Sequence, residues 1–304
     1  MSIEILLSPL EAEAWSKAQR TAGKTIGFVA TMGALHSGHL SLVEQARAEN
    51  DCVCVSVFVN PLQFGEASDL DNYRRDLEGD ARQLDQVGCE MVFTGSLEQF
   101  FPGQLDADGG LPKSQMIDAG PGALGLEGAC RQGHFDGVAT IVDRLFDVIE
   151  PTRAYFGQKD YQQTLVVGEV GRRRGSPKIV VCPIYREASG LARSSRNERL
   201  QTEERQEAVC LSRALSRAAY LWQSGERDCA RLEAELRVEL EGAKIEVEYA
   251  AVREVAAWSA EGATGDIQEA VAVVAARVGG VHLLDNHILA DEPPHSRAAL
   301  STSP

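Results

Sequence analysis

The sequence predicts an α/β chain in two parts, a parallel sheet covered by helices followed by a smaller α+β unit. Strand-like and helix-like segments alternate through the first half with short loops between them. A glycine-containing connection carrying two histidines joins the first strong strand to a helix, the hallmark of a βαβ unit. Beyond Asn197 a long Glu/Arg/Ala-rich stretch gives way to β-rich runs, which marks a change of architecture.

Thr25 to Ala30 (TIGFVA) has the β-branched and aromatic content of a buried strand, and Gly33 and Gly38 permit a tight connection after it. Leu40, Val43 and Ala46 then recur at helical spacing, and Asp51 leads into the apolar run Cys52 to Val59. A helix across Asp76 to Val87, the strand CEMVFTG and a Gly/Pro/Asp-rich passage from Pro102 to Gly128 follow, with Pro102 to Lys113 read as a surface excursion. Next come a helix through Val138 to Ile149, the strand RAYFG, a helix around Gln162 to Gly171 and the strand KIVVCPI. The basic run GRRRGSPK, Gly171 to Lys178, reads as a solvated connection. After a helical region reaching Gly242, KIEVEYAAV and AVAVVAARVGGVHLLDN read as strands of a separate small sheet. The boundary is placed at Tyr185 and Arg186, giving parts 1–185 and 186–304.

Composition narrows the function. A formal charge of −15 works against a nucleic-acid partner, which would meet broad repulsion. The N-terminus lacks the basic start and continuous apolar core of a secretion signal, and no stretch has the apolar length of a membrane span. Seven cysteines without a CxxC pair read as small core residues in a reducing compartment, so a cytoplasmic protein is expected.

In a βαβ unit the first helix presents unpaired N–H groups and a positive dipole end at the C-terminal edge of the sheet, which suits phosphate. His36 and His39, at i and i+3, share one face of that opening turn and can both address one anion. A helix cap or a core histidine is the plainer reading of either alone, and two histidines can also ligate zinc, although no HExxH arrangement follows. Asn60 and Gln63 in FVNPLQFG follow the second strand, where an amide's donor and acceptor suit a hydroxylated acid. In GQKDYQQ, Lys159 is a compact positive charge for phosphate, Asp160 an acceptor for a ribose hydroxyl, and Gln163 lies one helical turn from Lys159. His134 in RQGHFDGV reads as structural when taken alone. Ser194, Ser195, Arg196 and Asn197 form a polar cluster near the boundary that can close over a triphosphate or simply cap a helix.

Taken together and in this order, TMGALHSGH, FVNPLQFG, GHFDGVAT, YFGQKDYQQ and GLARSSRN resemble the pantoate–β-alanine ligase family of the HIGH nucleotidyltransferase superfamily, with a weaker continuation through VAARVGGVHLLDN. The resemblance implies a Rossmann-like parallel sheet domain, a smaller α+β C-terminal lid domain and a homodimer. It also implies a two-step reaction: pantoate attacks the α-phosphorus of ATP, giving pantoyl adenylate and pyrophosphate, and β-alanine then displaces AMP. ATP and Mg2+ would be the cofactors, and pantoate and β-alanine the other small-molecule partners. By motif, Met32, Gly33, Ala34, Leu35, His36, Ser37, Gly38 and His39 should line the ATP site, with His39 the proton donor and His36 its phosphate-binding neighbour. Gly157, Gln158, Lys159 and Asp160 should contact ATP, with Lys159 on phosphate. Arg193, Ser194, Ser195 and Arg196 should close over the nucleotide, and Tyr185 should meet adenine through its backbone. Gln63 and Gln163 should hold pantoate from two sides, with Asn60 and His134 also placed on the substrate side, and Asp80 is the candidate for holding magnesium.

The chain departs from the family's pattern at Arg193 (usually Met or Leu), Gln132 (Pro), Asp136 (Arg), Arg74 (Pro) and Gly79 (acidic). Two other readings compete. A nucleotidyltransferase of the same superfamily would share HxGH but has no need of FVNPLQFG or of Gln163. A nucleotide-binding protein that has lost catalysis is motivated by the departures, yet His36, His39, Lys159 and the SSR cluster all remain.

Overall fold

The computed structural model describes residues 2–65, 70, 73–262 and 267–291. The alternating segments of the first half build a six-stranded sheet in the order β1-β4-β3-β2-β5-β6, with every neighbouring pair parallel. Its strands are β1 (Glu4–Leu6), β2 (Ile26–Thr31), β3 (Cys52–Val57), β4 (Met91–Phe93), β5 (Arg153–Gly157) and β6 (Lys178–Cys182). Side chains alternate between two cores, as the two-residue strand period requires: Phe28, Cys54 and Phe156 face one, Val29, Val55 and Tyr155 the other. Helices Pro9–Thr21, His134–Ile149 and Tyr161–Arg174 cover the first face, and Ser37–Glu49 and Leu77–Gln86 the second.

Strand order reverses beside β2, with β3 and β4 on one side and β5 and β6 on the other. The crevice between the C-terminal ends of β2 and β5 is therefore the topological switch point, where ligands of open α/β sheets bind. The turns after both strands carry the histidine and lysine motifs.

The second part is a three-stranded antiparallel sheet, β7 (Glu246–Glu254), β8 (Ala270–Val278) and β9 (Val281–Leu289). Helices Val209–Gln223 and Cys229–Glu241 cover one face through Leu211, Trp222, Leu236, Val252 and Val274. The other face, with Ala251, Val271 and Val273, packs on Tyr161 and Leu165 of the first part. The core of the first part ends at Cys182 and that of the second begins at Leu191, and a small hairpin pairing Arg186 with Ala192 lies between them. Of the expected second part, residues 263–266 and 292–304 lie outside those described.

Several sequence expectations are corrected. The short edge strand Glu4–Leu6 is pinned by pairing with β4, a tertiary contact without local signal. The basic run is solvated as expected, but only its second half is a connection: Gly171 to Arg174 form the last turn of a helix that ends at Gly175 with φ +72°. Its arginines pair with Glu169, Asp143 and Asp147 and sit favourably at the negative helix end. The helix expected from Val138 begins four residues earlier, at His134. Among the described residues no helix is long and apolar enough to cross a membrane. The cysteines are all free, and all but Cys130 are buried.

One close approach fixes the site from beneath. The helix His134–Ile149 passes so near the turn Pro61–Gln63 that a Cβ on Gly137 would stand 2.2 Å from the Leu62 carbonyl oxygen. Gly137→Ala is expected to cost about 1–3 kcal/mol through this overlap and to lower the thermal midpoint. An unchanged midpoint would mean that the turn is free to retreat.

Candidate active site

The turn after β2 is built by backbone constraints. Thr31 Oγ1 donates to the Ser56 carbonyl at 2.7 Å and accepts from the Gly33 N–H at 3.2 Å. Gly33 adopts φ +84° and Ala34 φ +51°, and the loop folds over the buried Asp80. The two Asp80 oxygens accept from the N–H groups of Ala34 (3.1 Å) and Leu35 (2.8 Å). A Cβ on residue 33 would lie 2.9 Å from the same carboxylate, so glycine is required there for space as well as for φ.

His36 is the N-cap of the helix Ser37–Glu49, its Nδ1 accepting from the Gly38 N–H at 3.1 Å. That bond leaves Nε2 to carry the ring proton. Gly38 permits the arrangement, because a Cβ there would lie 3.0 Å from the imidazole. The rings of His36 and His39 stack with centroids 4.0 Å apart. Burial, followed by the neighbouring His39, Arg193 and Lys159, pushes His36 down to about 2. Burial outweighs the attraction of Asp160 and lowers His39 to about 4. Both rings are therefore neutral at pH 7, with N–H groups to offer a ligand rather than charges. His39 Nδ1 is buried without a hydrogen-bond partner.

Both rings border a cavity of about 200 Å3 at the switch point. From the first turn Met32 and Gly38 also border it, whereas Gly33, Ala34, Leu35 and Ser37 do not, being the frame of the turn. Gln63 enters from the second side. Asn60, 1% exposed, lies behind it rather than on the cavity: its Nδ2 donates to Gln63 Oε1 (2.9 Å) and the Gly137 carbonyl (3.1 Å), and its Oδ1 accepts from the Leu62 N–H. Asn60 thus orients the Gln63 amide, turning its NH2 group away to donate elsewhere. His134 borders the cavity with both nitrogens engaged: Nδ1 donates to the Gln63 carbonyl at 2.8 Å, and Nε2 accepts from Arg131 at 3.2 Å. Burial and the Arg131 charge lower His134 to about 4.

Gly157, Lys159, Asp160 and Gln163 border the third side, while Gln158 points into the small sheet. Lys159 Nζ donates to Asp160 Oδ1 at 3.1 Å. Burial raises the Asp160 carboxyl, but the charge and hydrogen bond of Lys159, with Arg196, bring it below its ordinary value. Tyr185, Arg193, Ser194, Ser195 and Arg196 close the fourth side. Ser194 is also the N-cap of the turn Ser195–Arg199, accepting from the Arg196 N–H at 3.2 Å. Arg193 is held by Glu187 at 3.0 Å and Glu198 at 2.7 Å, so its added charge arrives already paired.

Sequence reasoning missed several cavity residues, among them Tyr73, Glu127, Arg131 and Asn286. Tyr73 borders the cavity. Glu127, 4% exposed, meets His282 Nε2 (3.2 Å), Arg131 (3.4 Å) and the Tyr249 hydroxyl (3.4 Å). Burial raises its carboxyl, but the His282 hydrogen bond and charge, with Arg131 and His134, bring it down to about 2. Arg131 stood in a quoted motif without a role, and Asn286 lay in the VHLLDN tail. Of the Glu127 partners only Arg131 is local, at i+4, while Tyr249 and His282 are remote in sequence.

Among the described residues no preformed site for magnesium is found. Asp80 is absent from the cavity wall and serves the loop amides, and no group of three or more His, Cys, Asp or Glu that could hold a metal occurs among the described residues.

The buried histidines set a pH dependence. Their folded pKa values lie below the unfolded value of about 6.5, so the unfolded chain binds more protons between about pH 4 and 6.5. Stability should be level above about pH 6.5 and fall as the pH drops through that window. Thermal midpoints between pH 8 and 5 should show this decline, with a shallower slope in His39→Gln; parallel slopes would remove His39 as a source.

Comparison with known proteins agrees with this geometry. A family model described as pantoate-beta-alanine ligase matches residues 4–288. A pantothenate synthetase of Rubrobacter xylanophilus is 45% identical over 94% of this chain and 98% of its own, and one from Gluconobacter oxydans 45% identical over 89% and 95%. Among solved structures, pantothenate synthetase from Thermus thermophilus superposes with a TM-score of 0.84 at 37% identity, covering 95% of this chain and 100% of that one. The pantoate-beta-alanine ligase of Francisella tularensis, solved with a β,γ ATP ligand and β-alanine, gives a TM-score of 0.74 at 29% identity over 94% and 97%. With the sheet order, the histidine-capped turn and the length of these matches in agreement, the chain belongs to the pantoate–β-alanine ligase family.

Proposed function

We propose that this cavity divides its labour by residue: His36, His39, Lys159 and the segment Arg193–Arg196 hold the phosphates of ATP, while Gln63 and Gln163 hold pantoate. The enzyme catalyses the ATP-dependent ligation of pantoate and β-alanine through an adenylate. In the first step a pantoate carboxylate oxygen bonds to the α-phosphorus and the bond to pyrophosphate breaks. In the second the β-alanine amine bonds to the acyl carbon, AMP leaves, and the amine loses a proton. The observation that carries the assignment is that one cavity is bordered at once by the stacked neutral histidines, Lys159, Gln63 and Gln163.

Each part has a physical role. Neutral imidazoles donate N–H groups to phosphate oxygens whose charge grows in the transition state, and Lys159 adds a fixed positive charge. The Gln63 amide, oriented by Asn60 while His134 holds the Gln63 main-chain carbonyl, presents donors to the hydroxyls and carboxylate of pantoate without rotating. Residues from Arg186 onward serve as the lid, a role supported by the second part closing one side of the cavity through Tyr249 and Val273 of the small sheet and Trp258 just after β7. The ligands of the Francisella relative accord with ATP and β-alanine as substrates here. Magnesium in this reading would accompany ATP rather than occupy a protein site of its own, and would supply charge neutralisation at the phosphates.

Purified protein given ATP, magnesium, pantoate and β-alanine is expected to release AMP only when both acids are present. Tight ATP binding without turnover would favour the degenerate alternative. His39→Ala should slow adenylate formation about a hundred- to a thousandfold, the usual loss for one donor to developing charge. An unchanged single-turnover rate would take His39 out of the mechanism. Gln63→Ala should raise the KM for pantoate more than that for ATP; equal loss for both would count against the assignment.

A further inference from the structure

The tail of VAARVGGVHLLDN, Asp285–Asn286, stands at a junction of the cavity walls. The turn Gln158–Asp160, which carries Lys159, has no side-chain cap at its start, and neither has the helix that follows. Two of its carbonyls are satisfied from the other part of the molecule. Asn286 on β9, 2% exposed, donates through Nδ2 to the carbonyls of Gln158 (2.9 Å) and Lys159 (2.9 Å), and its Oδ1 accepts from Gln158 Nε2 at 3.0 Å.

The neighbouring Asp285 completes the junction. Its buried carboxylate accepts from Arg186 at 2.7 and 3.0 Å and from the Asn286 N–H at 2.8 Å. Arg186 also donates to the carbonyls of Gly190 (3.0 Å) and Asn286 (3.3 Å). It opens the hairpin that pairs with Ala192 and delivers Arg193 to Arg196 to the cavity. One dipeptide of β9 therefore grips the Lys159 turn with one residue and the base of the Arg193–Arg196 segment with the next.

We propose that Asn286 is a positioning residue for adenylation, holding Lys159 in register with the segment Arg193–Arg196 across the phosphates. The proposal rests on the phosphate role given to Lys159 above. A charged group displaced by about 1 Å from its productive place loses up to roughly a hundredfold in rate, so the three hydrogen bonds matter more to chemistry than to folding. The second step, in which the phosphates no longer react with pantoate, should depend less on Asn286.

Pantoate-dependent ATP–pyrophosphate exchange by the full chain tests this. Asn286→Ala is expected to lower exchange about tenfold to a hundredfold while leaving the KM for β-alanine unchanged. Asn286→Asp keeps the shape but loses both Nδ2 donors and sets an acceptor against two carbonyls. It should be as slow as Ala, and wild-type exchange in this variant would overturn the proposal. A double-mutant cycle separates positioning from general structure: in a Lys159→Ala background the Asn286→Ala loss should largely vanish, and an undiminished loss there would mean that Asn286 does not act through Lys159. Lys159→Ala alone checks the underlying reading, because unchanged exchange in that single variant removes Lys159 from the phosphates and the proposal with it.

Discussion

The active-site turn hangs on one buried carboxylate. Asp80 accepts from the amides of Ala34 and Leu35, two donors that a loop in this strained conformation would otherwise bury unpaired. Burial raises the Asp80 carboxyl, and the two N–H bonds oppose that rise. With this bond pair in place, Gly33 and Ala34 can keep positive φ values, and His36 arrives where it caps the following helix. Everything that addresses the cavity from this side follows: the cap sets the His36 tautomer, the tautomer directs its proton, and the next turn of helix stacks His39 on it.

Capping and binding are not rival roles in this molecule. His36, Ser194 and Asn60 each satisfy backbone N–H groups of a local turn, which is the plain structural reading of each. His36 and Ser194 border the cavity as well, while Asn60 acts one residue removed by orienting Gln63. A side chain immobilised by a cap meets its ligand with little entropy left to lose. The electrostatics follow similar economy: the chain carries −15 overall, yet burial keeps the histidines neutral, and Glu187 and Glu198 pair with Arg193.

Departures from the family pattern find local explanations. Gly79 donates its N–H to Asp76 Oδ1 at 2.9 Å, and a Cβ there would stand 2.3 Å from the Asp76 carboxylate, so glycine accompanies the Asp76 cap. Asp136 accepts from the Ala119 N–H at 3.0 Å and ties the long passage to the helix His134–Ile149. Arg74 pairs with Asp76 at 3.1 Å. Nothing in the structure explains Gln132.

Local information was enough for the α/β class, the strand–turn–helix unit and many of the polar residues of the cavity, because strand periodicity, glycine and the HxGH and GQKD spacings act within a few residues. The helix Leu77–Gln86, expected as Asp76 to Val87, was legible for the same reason: its cap and its apolar face are contiguous. What tertiary structure alone decided lies between segments remote in sequence. Asp80 became the brace of a turn more than forty residues away, and Asn60 moved behind Gln63 because Gly137 let a helix close on the loop. Glu127 met His282, and Asn286 took the Gln158 and Lys159 carbonyls, across 155 and 127 or more residues of chain. A buried polar group must find a partner, but sequence does not say which one; only the packed chain brings the two within hydrogen-bond reach.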